Sequence, residues 1–168
     1  MHSSTRRLIT FDRIFEVEKK VDSGPLWKLY EGLKWTNAWH MHEQWVKSNH
    51  ALSGWKNAYT NGRICVVFNG KANPMSISTK RQGVDTFAVL SLELTAAWLD
   101  DFQVNVIGRR NKQEVYSTTF MLQFDFPQVF YLDWKDIDEI QFLPTSGTAH
   151  PGIDYTEKYF AITWILLG

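Results

Sequence analysis

Three alternating segments in the middle of the chain decide the fold, namely FQVNV at residues 102–106, YSTTFMLQF at 116–124 and VFYLDW at 129–134. In each segment apolar side chains recur at every second position. A period of two places them on one face of a β-strand, because successive side chains point to opposite faces. The sequence therefore predicts neighbouring strands, each with one face in the core.

Turn-forming residues separate these segments and continue on both sides of them. They lie at residues 100–101, 108–112, 127, 135–136 and 144–154, and a final run at 159–167 is apolar on both faces, as in a central strand. Strands at intervals of roughly ten residues, without long amphipathic helices, are typical of sandwiches and barrels. We therefore predict an all-β fold, a two-sheet antiparallel jelly-roll-like β-sandwich, in a single domain over residues 1–168.

The first sixty residues follow a less regular pattern. A strand is predicted at residues 8–11, a polar loop at 16–25, a strand-like segment at 27–35 and a long excursion at 39–54. Residues 38–48 are compatible with a short helix, although their aromatic side chains are poorly spaced for one. No linker or change in composition separates this part from the rest, which favours one domain.

Composition excludes two classes of partner. The chain has 18 basic and 18 acidic residues and a formal net charge of zero, so no overall field recruits a nucleic acid. No apolar run approaches the length of a membrane span, and residues 1–10 lack the apolar region of a signal peptide.

The only cysteine, Cys65, lies in the apolar run 64–68 and is predicted to be buried. Oligomeric state is left open.

Short segments in a fixed order along nearly the whole chain carry a family resemblance. They are ITFD at 9–12, YEGLKWTN at 30–37, SGWKN at 53–57, FNG at 68–70, NPMSI at 73–77, LTAAWLDDFQV at 94–104, WKDIDEIQF at 134–142, SGT at 146–148, HPG at 150–152 and FAI at 160–162. In this series the chain resembles the exported β-sandwich domains of PEP-CTERM-type proteins, which are themselves similar to jelly-roll carbohydrate-binding modules. The resemblance implies export and a glycan as the class of ligand.

The same resemblance bears on a metal ion. Such jelly rolls commonly join the first and last strands through a structural calcium, held by an early Asp and a late Asp or Asn. Asp12 matches the early position, whereas Thr163 and Trp164 stand where the late residues are expected. Calcium requires several oxygen ligands, some of them charged. We therefore predict no cofactor, and Asp12 is the one residue assigned to a metal.

Eight tryptophans are the most unusual feature of the composition. Trp35, Trp134 and Trp164 alternate with apolar neighbours and are predicted to point inward. Trp39, Trp45 and Trp55 lie in an irregular polar stretch that also contains Gln44 and Asn57. Exposed aromatic rings of this kind can stack on sugar rings, while polar neighbours bind the hydroxyl groups. The alternative is that these rings only pack the excursion onto the sheets.

Two histidine arrangements are further candidates. On a strand, the side chains of His40 and His42 would point the same way, a spacing that suits zinc or copper. A third ligand would come from Glu43, His50 or elsewhere. The alternative is that both are surface histidines on a loop. His150 lies in the long, glycine- and proline-rich loop 144–154, and loops of this kind often bind ligands in a β-sandwich.

Catalysis has weak support in the sequence. His150 and Asp154 lie near Ser146, but no Gly-x-Ser-x-Gly turn accompanies them. Glycoside hydrolysis needs two carboxyl groups, and paired acids such as Asp100 and Asp101 are candidates for them. Both acids stand at a predicted turn, however, where a carboxylate is usually exposed to solvent.

The sequence therefore predicts a non-enzymatic binding module, carbohydrate-binding and lectin-like. The alternative is a structural or protein-interaction β-sandwich that acts through a sheet face or edge, inside the cell. The predicted ligand-binding residues are Trp39, His40, His42, Trp45, Trp55, Asn57, His150 and Asp154.

Overall fold

The computed structural model describes residues 5–168. Within them the chain forms 13 strands and two short α-helices. The strands are β1 Arg7–Ile9, β2 Ser23–Pro25, β3 Leu29–Tyr30, β4 Leu33–Thr36, β5 Ala38–His42, β6 Cys65–Asn69, β7 Met75–Thr79, β8 Phe87–Ala96, β9 Leu99–Arg110, β10 Gln113–Leu122, β11 Gln128–Ile137, β12 Glu139–Ala149 and β13 Phe160–Leu167. The helices are α1 Asp12–Glu18 and α2 Glu43–Asn49, and two 3-10 helices span Gly54–Asn57 and Gly70–Ala72.

The strands form two antiparallel sheets. One has seven strands in the order β11-β8-β13-β6-β5-β2, with β1 paired to β13, and the other has six in the order β10-β9-β12-β7-β4-β3. Most neighbours in these orders are not consecutive in the chain, as in a jelly roll, because many connections cross between the sheets. The predicted all-β, two-sheet sandwich is confirmed.

The core lies between the sheets and follows the predicted alternation. On β9, Phe102, Val104 and Val106 are fully buried, while the residues between them are exposed or half-buried. Phe142 of β12 and Phe160 of β13 bring the two sheets together, with ring centroids 5.8 Å apart. Full burial of each such side chain contributes about 1.5–3 kcal/mol, so this layer dominates the stability of the fold.

Cys65 is buried on β6, as its apolar surroundings predict. Burial raises the pKa of its thiol to about 12, so the side chain is a protonated, unreactive part of the core at pH 7.

Three of the predicted turns in the second half are wrong. Asp101 lies inside β9, Asp136 lies inside β11, and β12 continues through residues 144–149. Asp101 and Asp136 have positive φ angles of 47° and 54°, and β11 shifts register on both sides of Trp134. These acids occupy irregular positions within strands, where a left-handed residue has the same sequence signature as a turn.

The first sixty residues also differ from the prediction. Residues predicted as a polar loop include the end of α1 and strand β2, and the segment 38–48 divides into β5 and α2. His42 marks the division, because its Nδ1 accepts a hydrogen bond from the Gln44 amide (3.0 Å) and so caps α2. Helices of seven residues are too short to show a helical period in the sequence.

Trp35 and Trp134 are buried as predicted, whereas Trp164 is only half-buried. None of the helices within residues 5–168 has the length and apolar character needed to cross a bilayer.

Candidate ligand-binding site

An open cavity of about 360 Å³, here called the aromatic cleft, lies where several segments of the chain meet. Seven aromatic side chains line it, accompanied by an imidazole, one cation and one carboxylate: Trp39, Trp45, Trp55, Phe68, Trp98, Tyr155 and Tyr159, with His50, Lys71 and Glu157. A volume of this size matches pockets that take one small ligand or a few linked rings.

The sheet supplies one wall of the cleft. Trp39 of β5 and Phe68 of β6 are register partners, and their ring centroids lie 6.4 Å apart. Directly opposite residues of antiparallel strands carry their side chains on the same face of the sheet. The pairing of β5 with β6 therefore fixes both rings without help from a loop.

The excursion between β5 and β6 supplies a second wall. The His50 ring packs edge-on against Trp45, with centroids 5.1 Å apart, and against Trp55 at 5.4 Å. Trp55 is nearly completely buried, and its Nε1 atom has no hydrogen-bond partner among residues 5–168. The excursion thus holds an indole donor without a partner beside the cavity.

Gly54 explains why the excursion lies where it does. Its amide donates to the Ala97 carbonyl (2.7 Å), and a Cβ at this position would lie 2.2 Å from the Ala96 carbonyl oxygen. Only a residue without a side chain permits this approach of two backbones. The contact sets Trp55 beside Trp98, with ring centroids 6.1 Å apart.

The segment that leads into β13 completes the cleft. Tyr159 packs 5.2 Å from Trp55, and Tyr155 packs 4.7 Å from Trp98. The segment is anchored by the buried Asn69, whose side chain accepts from the Phe160 amide (2.9 Å) and donates to the Lys158 carbonyl (3.0 Å). One buried amide thus holds the backbone on both sides of Tyr159.

The polar groups of the cleft differ in charge state. Burial lowers the pKa of His50, so its ring is neutral at pH 7 and offers one hydrogen-bond donor and one acceptor. Burial, with a smaller contribution from Glu157, raises the pKa of the Tyr159 hydroxyl, which stays protonated. Lys71 and Glu157 are exposed charges of opposite sign at the cavity. The cleft can therefore combine ring stacking with both donation and acceptance of hydrogen bonds.

Of the predicted ligand-binding residues, the structure brings three together in this cleft: Trp39, Trp45 and Trp55. Trp55 is buried in the wall, whereas Trp39 and Trp45 are half-buried. Asn57 does not line the cavity, because its side chain donates to the Phe124 carbonyl (2.9 Å) and holds the 3-10 helix in place.

His150 belongs to a separate cluster. Its Nδ1 lies 2.9 Å from Asp100 Oδ1, its Nε2 lies 3.6 Å from Asp125 Oδ1, and its ring stacks on Phe124 with centroids 3.9 Å apart. Asp154 is exposed and lines neither this cluster nor the cleft. The acid at residue 100 is therefore a partner of His150 and not a free corner of a turn.

His40 and His42 also have different surroundings. The interpretation of both as surface histidines on a loop is wrong, because His40 lies on β5 and is 4% exposed. Its ring faces Glu18 and Asp22, while His42 caps α2 and packs 4.7 Å from Phe15. Neither Glu43 nor His50, the expected third ligands, joins His40 in a cluster of metal-binding side chains within residues 5–168.

Asp12, the residue assigned to calcium, has protein partners for both oxygens. Oδ1 accepts from the amides of Ile64 (2.9 Å) and Cys65 (3.1 Å), and Oδ2 lies 3.4 Å from Arg63 Nη1. At the late position, the Thr163 hydroxyl donates to the Ala58 carbonyl (2.6 Å). These contacts join α1 to the start of β6 and β13 to the excursion, which gives both residues a structural role.

Sequence reasoning missed the residues that complete the cleft: His50, Phe68, Lys71, Trp98, Tyr155, Glu157 and Tyr159. His50 lies in the same stretch as Trp45 and Trp55, and the others come from three further places in the chain that no spacing rule connects. The one available signal was the concentration of aromatic residues among polar ones at 155–159, which resembles the stretch around Trp45.

Comparison with known proteins gives a fold and no family. No protein-family model and no curated protein matches the sequence. Among solved structures, a DUF4465 family protein from Bacteroides ovatus matches with a TM-score of 0.52 and 11% identity, over 99% of this chain and 95% of that one.

Weaker matches include two structures with bound sugars. The lectin binding domain of Lectinolysin complexed with Lewis b has a TM-score of 0.40 and 11% identity over 80% of this chain and 89% of that one. A family 32 CBM from C. perfringens NanJ in complex with galactose has a TM-score of 0.42 and 10% identity, over 82% of this chain and 94% of that one. The relation to PEP-CTERM-type domains remains a prediction, while the β-sandwich fold is similar to that of the Bacteroides ovatus protein.

Proposed function

We propose that the chain is a non-enzymatic, lectin-like binding module that takes a glycan in the aromatic cleft, with residues 1–168 acting as one domain. The observation that carries this proposal is the lining of the cavity, where seven aromatic rings surround about 360 Å³ of open space. A pyranose ring has an apolar face that stacks on an aromatic ring and a rim of hydroxyl groups that needs hydrogen bonds.

The polar side chains of the cleft fit such a rim. Neutral His50 and the Tyr159 hydroxyl both donate and accept, Lys71 donates and Glu157 accepts. Sugar hydroxyl groups have the same dual character, so each can be paired. The cavity also carries no excess of either charge, which favours a neutral sugar over a phosphorylated or acidic one.

The same lining argues against glycoside hydrolysis. That reaction needs two carboxyl groups about 5 to 10 Å apart across the bond to be cleaved. Among the described residues Glu157 is the only carboxylate that lines the cleft. The proposal therefore assigns recognition, and no bond cleavage, to this site. We also propose, from the ordered sequence resemblance, that the chain is a divergent PEP-CTERM-type exported domain.

A glycan array followed by calorimetric titration with the best neutral oligosaccharide tests the proposal. Trp45→Ala and Tyr155→Ala remove rings that are partly or mostly exposed in the cleft, and each is expected to weaken binding at least tenfold. Tyr131→Ala is the matched control, because Tyr131 is 83% exposed on β11, outside the cleft. Absence of any glycan signal, or equal losses in Tyr155→Ala and Tyr131→Ala, contradicts the proposal.

A second candidate, a protein-interaction domain, has one observation in its favour. Edge strands β10 and β11 lie side by side at the same edge of the sandwich, where Phe120 stacks on Phe130 with centroids 4.0 Å apart. Met121, Val129 and Tyr131 nearby are exposed apolar side chains. Exposed apolar groups on unpaired edges favour association with another chain.

Light scattering after size exclusion separates the candidates. The protein-interaction candidate predicts a dimer that Tyr131→Asp converts to monomer, with the cleft playing no part. The glycan proposal predicts that Tyr131→Asp leaves glycan binding unchanged. A stable dimer together with an empty glycan array favours the second candidate over the first.

A further inference from the structure

A cluster of three metal-binding side chains lies outside the aromatic cleft, on the N-terminal part of the fold. Glu18 ends α1, Asp22 lies in the connection to β2, and His40 stands in the middle of β5. One donor atom of each lies within 4.8 Å of the other two. The His40 Nε2 and Glu18 Oε2 atoms are 3.7 Å apart, too far for a hydrogen bond.

Two observations show that these groups lack adequate protein partners. The His40 side chain is more than nine-tenths buried and its ring faces the two acids. The Oδ1 atom of Asp22 is buried and has no hydrogen-bond partner among residues 5–168. A buried carboxylate oxygen without a donor costs free energy, and a bound cation removes that cost.

The surroundings hold the donor atoms in place. The Trp27 indole donates to Glu18 Oε1 (3.0 Å), which leaves Oε2 directed toward His40. Gly24 is the register partner of His40, and a Cβ there would lie 3.3 Å from the His40 Nε2 atom. Its missing side chain leaves space in front of the imidazole nitrogen. Orientation of ligands by such outer contacts is typical of metal sites.

We propose that Glu18, Asp22 and His40 bind one divalent transition-metal ion of the zinc class. An imidazole nitrogen with two carboxylate oxygens is a donor set that zinc accepts, whereas calcium and magnesium prefer oxygen alone. Two ligand atoms, each about 2.0 Å from a tetrahedral zinc, lie about 3.3 Å apart. The separation of 3.7 Å between His40 and Glu18 exceeds this value by about 0.4 Å, and the other separations, all within 4.8 Å, exceed it by at most about 1.5 Å.

The ion has a defined structural effect. It joins the end of α1, the connection to β2 and the centre of β5, and so ties the short edge strand β2 to the sheet. Three protein ligands leave a fourth position for water. This site is independent of the glycan proposal, because none of its three ligands lines the aromatic cleft.

The test uses the untagged chain, stripped with EDTA and then titrated with zinc sulfate by calorimetry, with bound metal measured after dialysis. We expect one zinc per chain and a rise in melting temperature. Glu18→Gln and Asp22→Asn keep the side-chain shape but remove a charge, and each is expected to weaken zinc binding at least tenfold. Asp100→Asn is the control for the second group of metal-binding side chains, Asp100, Asp125 and His150, and should bind zinc like the parent chain.

Melting curves without metal provide a second readout. With EDTA present, Asp22→Asn should melt at the same or a higher temperature than the parent, because two neighbouring carboxylates repel each other when no cation is bound. Failure of the parent chain to bind zinc, unchanged binding in Asp22→Asn, or binding that disappears in Asp100→Asn overturns the proposal.

Discussion

Two aromatic-rich regions of this molecule use the same kind of side chain in opposite ways. Between β10 and β11, Tyr116 lies parallel to Trp134 with ring centroids 5.2 Å apart, and Phe120 lies parallel to Phe130 at 4.0 Å. In the aromatic cleft, rings such as Trp55 and Tyr159 meet nearly edge to face and leave a cavity between them. The stacks close the edge where the two sheets meet, whereas the rings of the cleft come from separate segments and line an open cavity.

The two regions also differ in what positions them. The β10–β11 rings lie on long strands that are paired within two separate sheets, and they stack where the edges of those sheets meet. In the cleft, strand register fixes only the Trp39–Phe68 pair, and the other rings depend on individual contacts such as those of Gly54 and Asn69. We therefore expect stability to depend on the sandwich and binding to depend on the contacts that hold the excursion.

The largest expected effect is on the sandwich itself. Phe142→Ala removes a fully buried ring that contacts Phe160 across the core, and it should lower the free energy of unfolding by about 3–5 kcal/mol. Urea unfolding followed by tryptophan fluorescence measures this change. Tyr131→Ala, an exposed ring, should change stability by less than about 0.5 kcal/mol. Similar losses in both variants contradict the assignment of the core.

A smaller effect is expected at the contact that positions the cleft. Gly54→Ala places a Cβ against the Ala96 and Phe124 carbonyl oxygens, so the 3-10 helix must move and stability should fall by about 1–3 kcal/mol. Glycan binding should be lost in the folded variant, because Trp55 moves with the helix. Lys56→Ala, at an exposed position of the same helix, should preserve both properties. Full glycan binding by Gly54→Ala would show that the cleft does not depend on the backbone contact between Gly54 and Ala96.

The smallest effect concerns pH and the cleft histidine. Burial lowers the pKa of His50 in the folded chain, while the unfolded chain takes up the proton near the ordinary value of about 6.5. The unfolded state therefore binds more protons below that pH, and stability falls as the pH drops from 7.5 to 5.5. Urea unfolding at both pH values, with EDTA present, should show a smaller drop for His50→Gln. An equal drop in parent and variant would mean that His50 is solvated.

Local pattern was sufficient for the long strands. The alternation at residues 102–106 and 116–124 predicted half-buried strands; β9 contains the first segment, and β10 contains residues 116–122 of the second. The same reasoning misplaced Asp101 and Asp136, because a left-handed residue inside a strand has the composition of a turn. Helix α1 escaped detection, and α2 was only allowed for as a short helix over residues 38–48, because seven residues give too few turns to define a period.

In the candidate sites, too, residues close together in the sequence could be predicted and partners from distant segments could not. The sequence singled out Trp39, Trp45 and Trp55, which share one stretch of chain, and the structure places all three in the cleft. It gave no means of joining them to Trp98 and Tyr159, or of joining His40 to Glu18 and Asp22, since those partners come from other elements. Side-chain alternation is a local property of the backbone and can be read from neighbouring residues. Contacts between distant segments depend on sheet order and on close approaches such as Gly54 against Ala96, which exist only once the chain has folded.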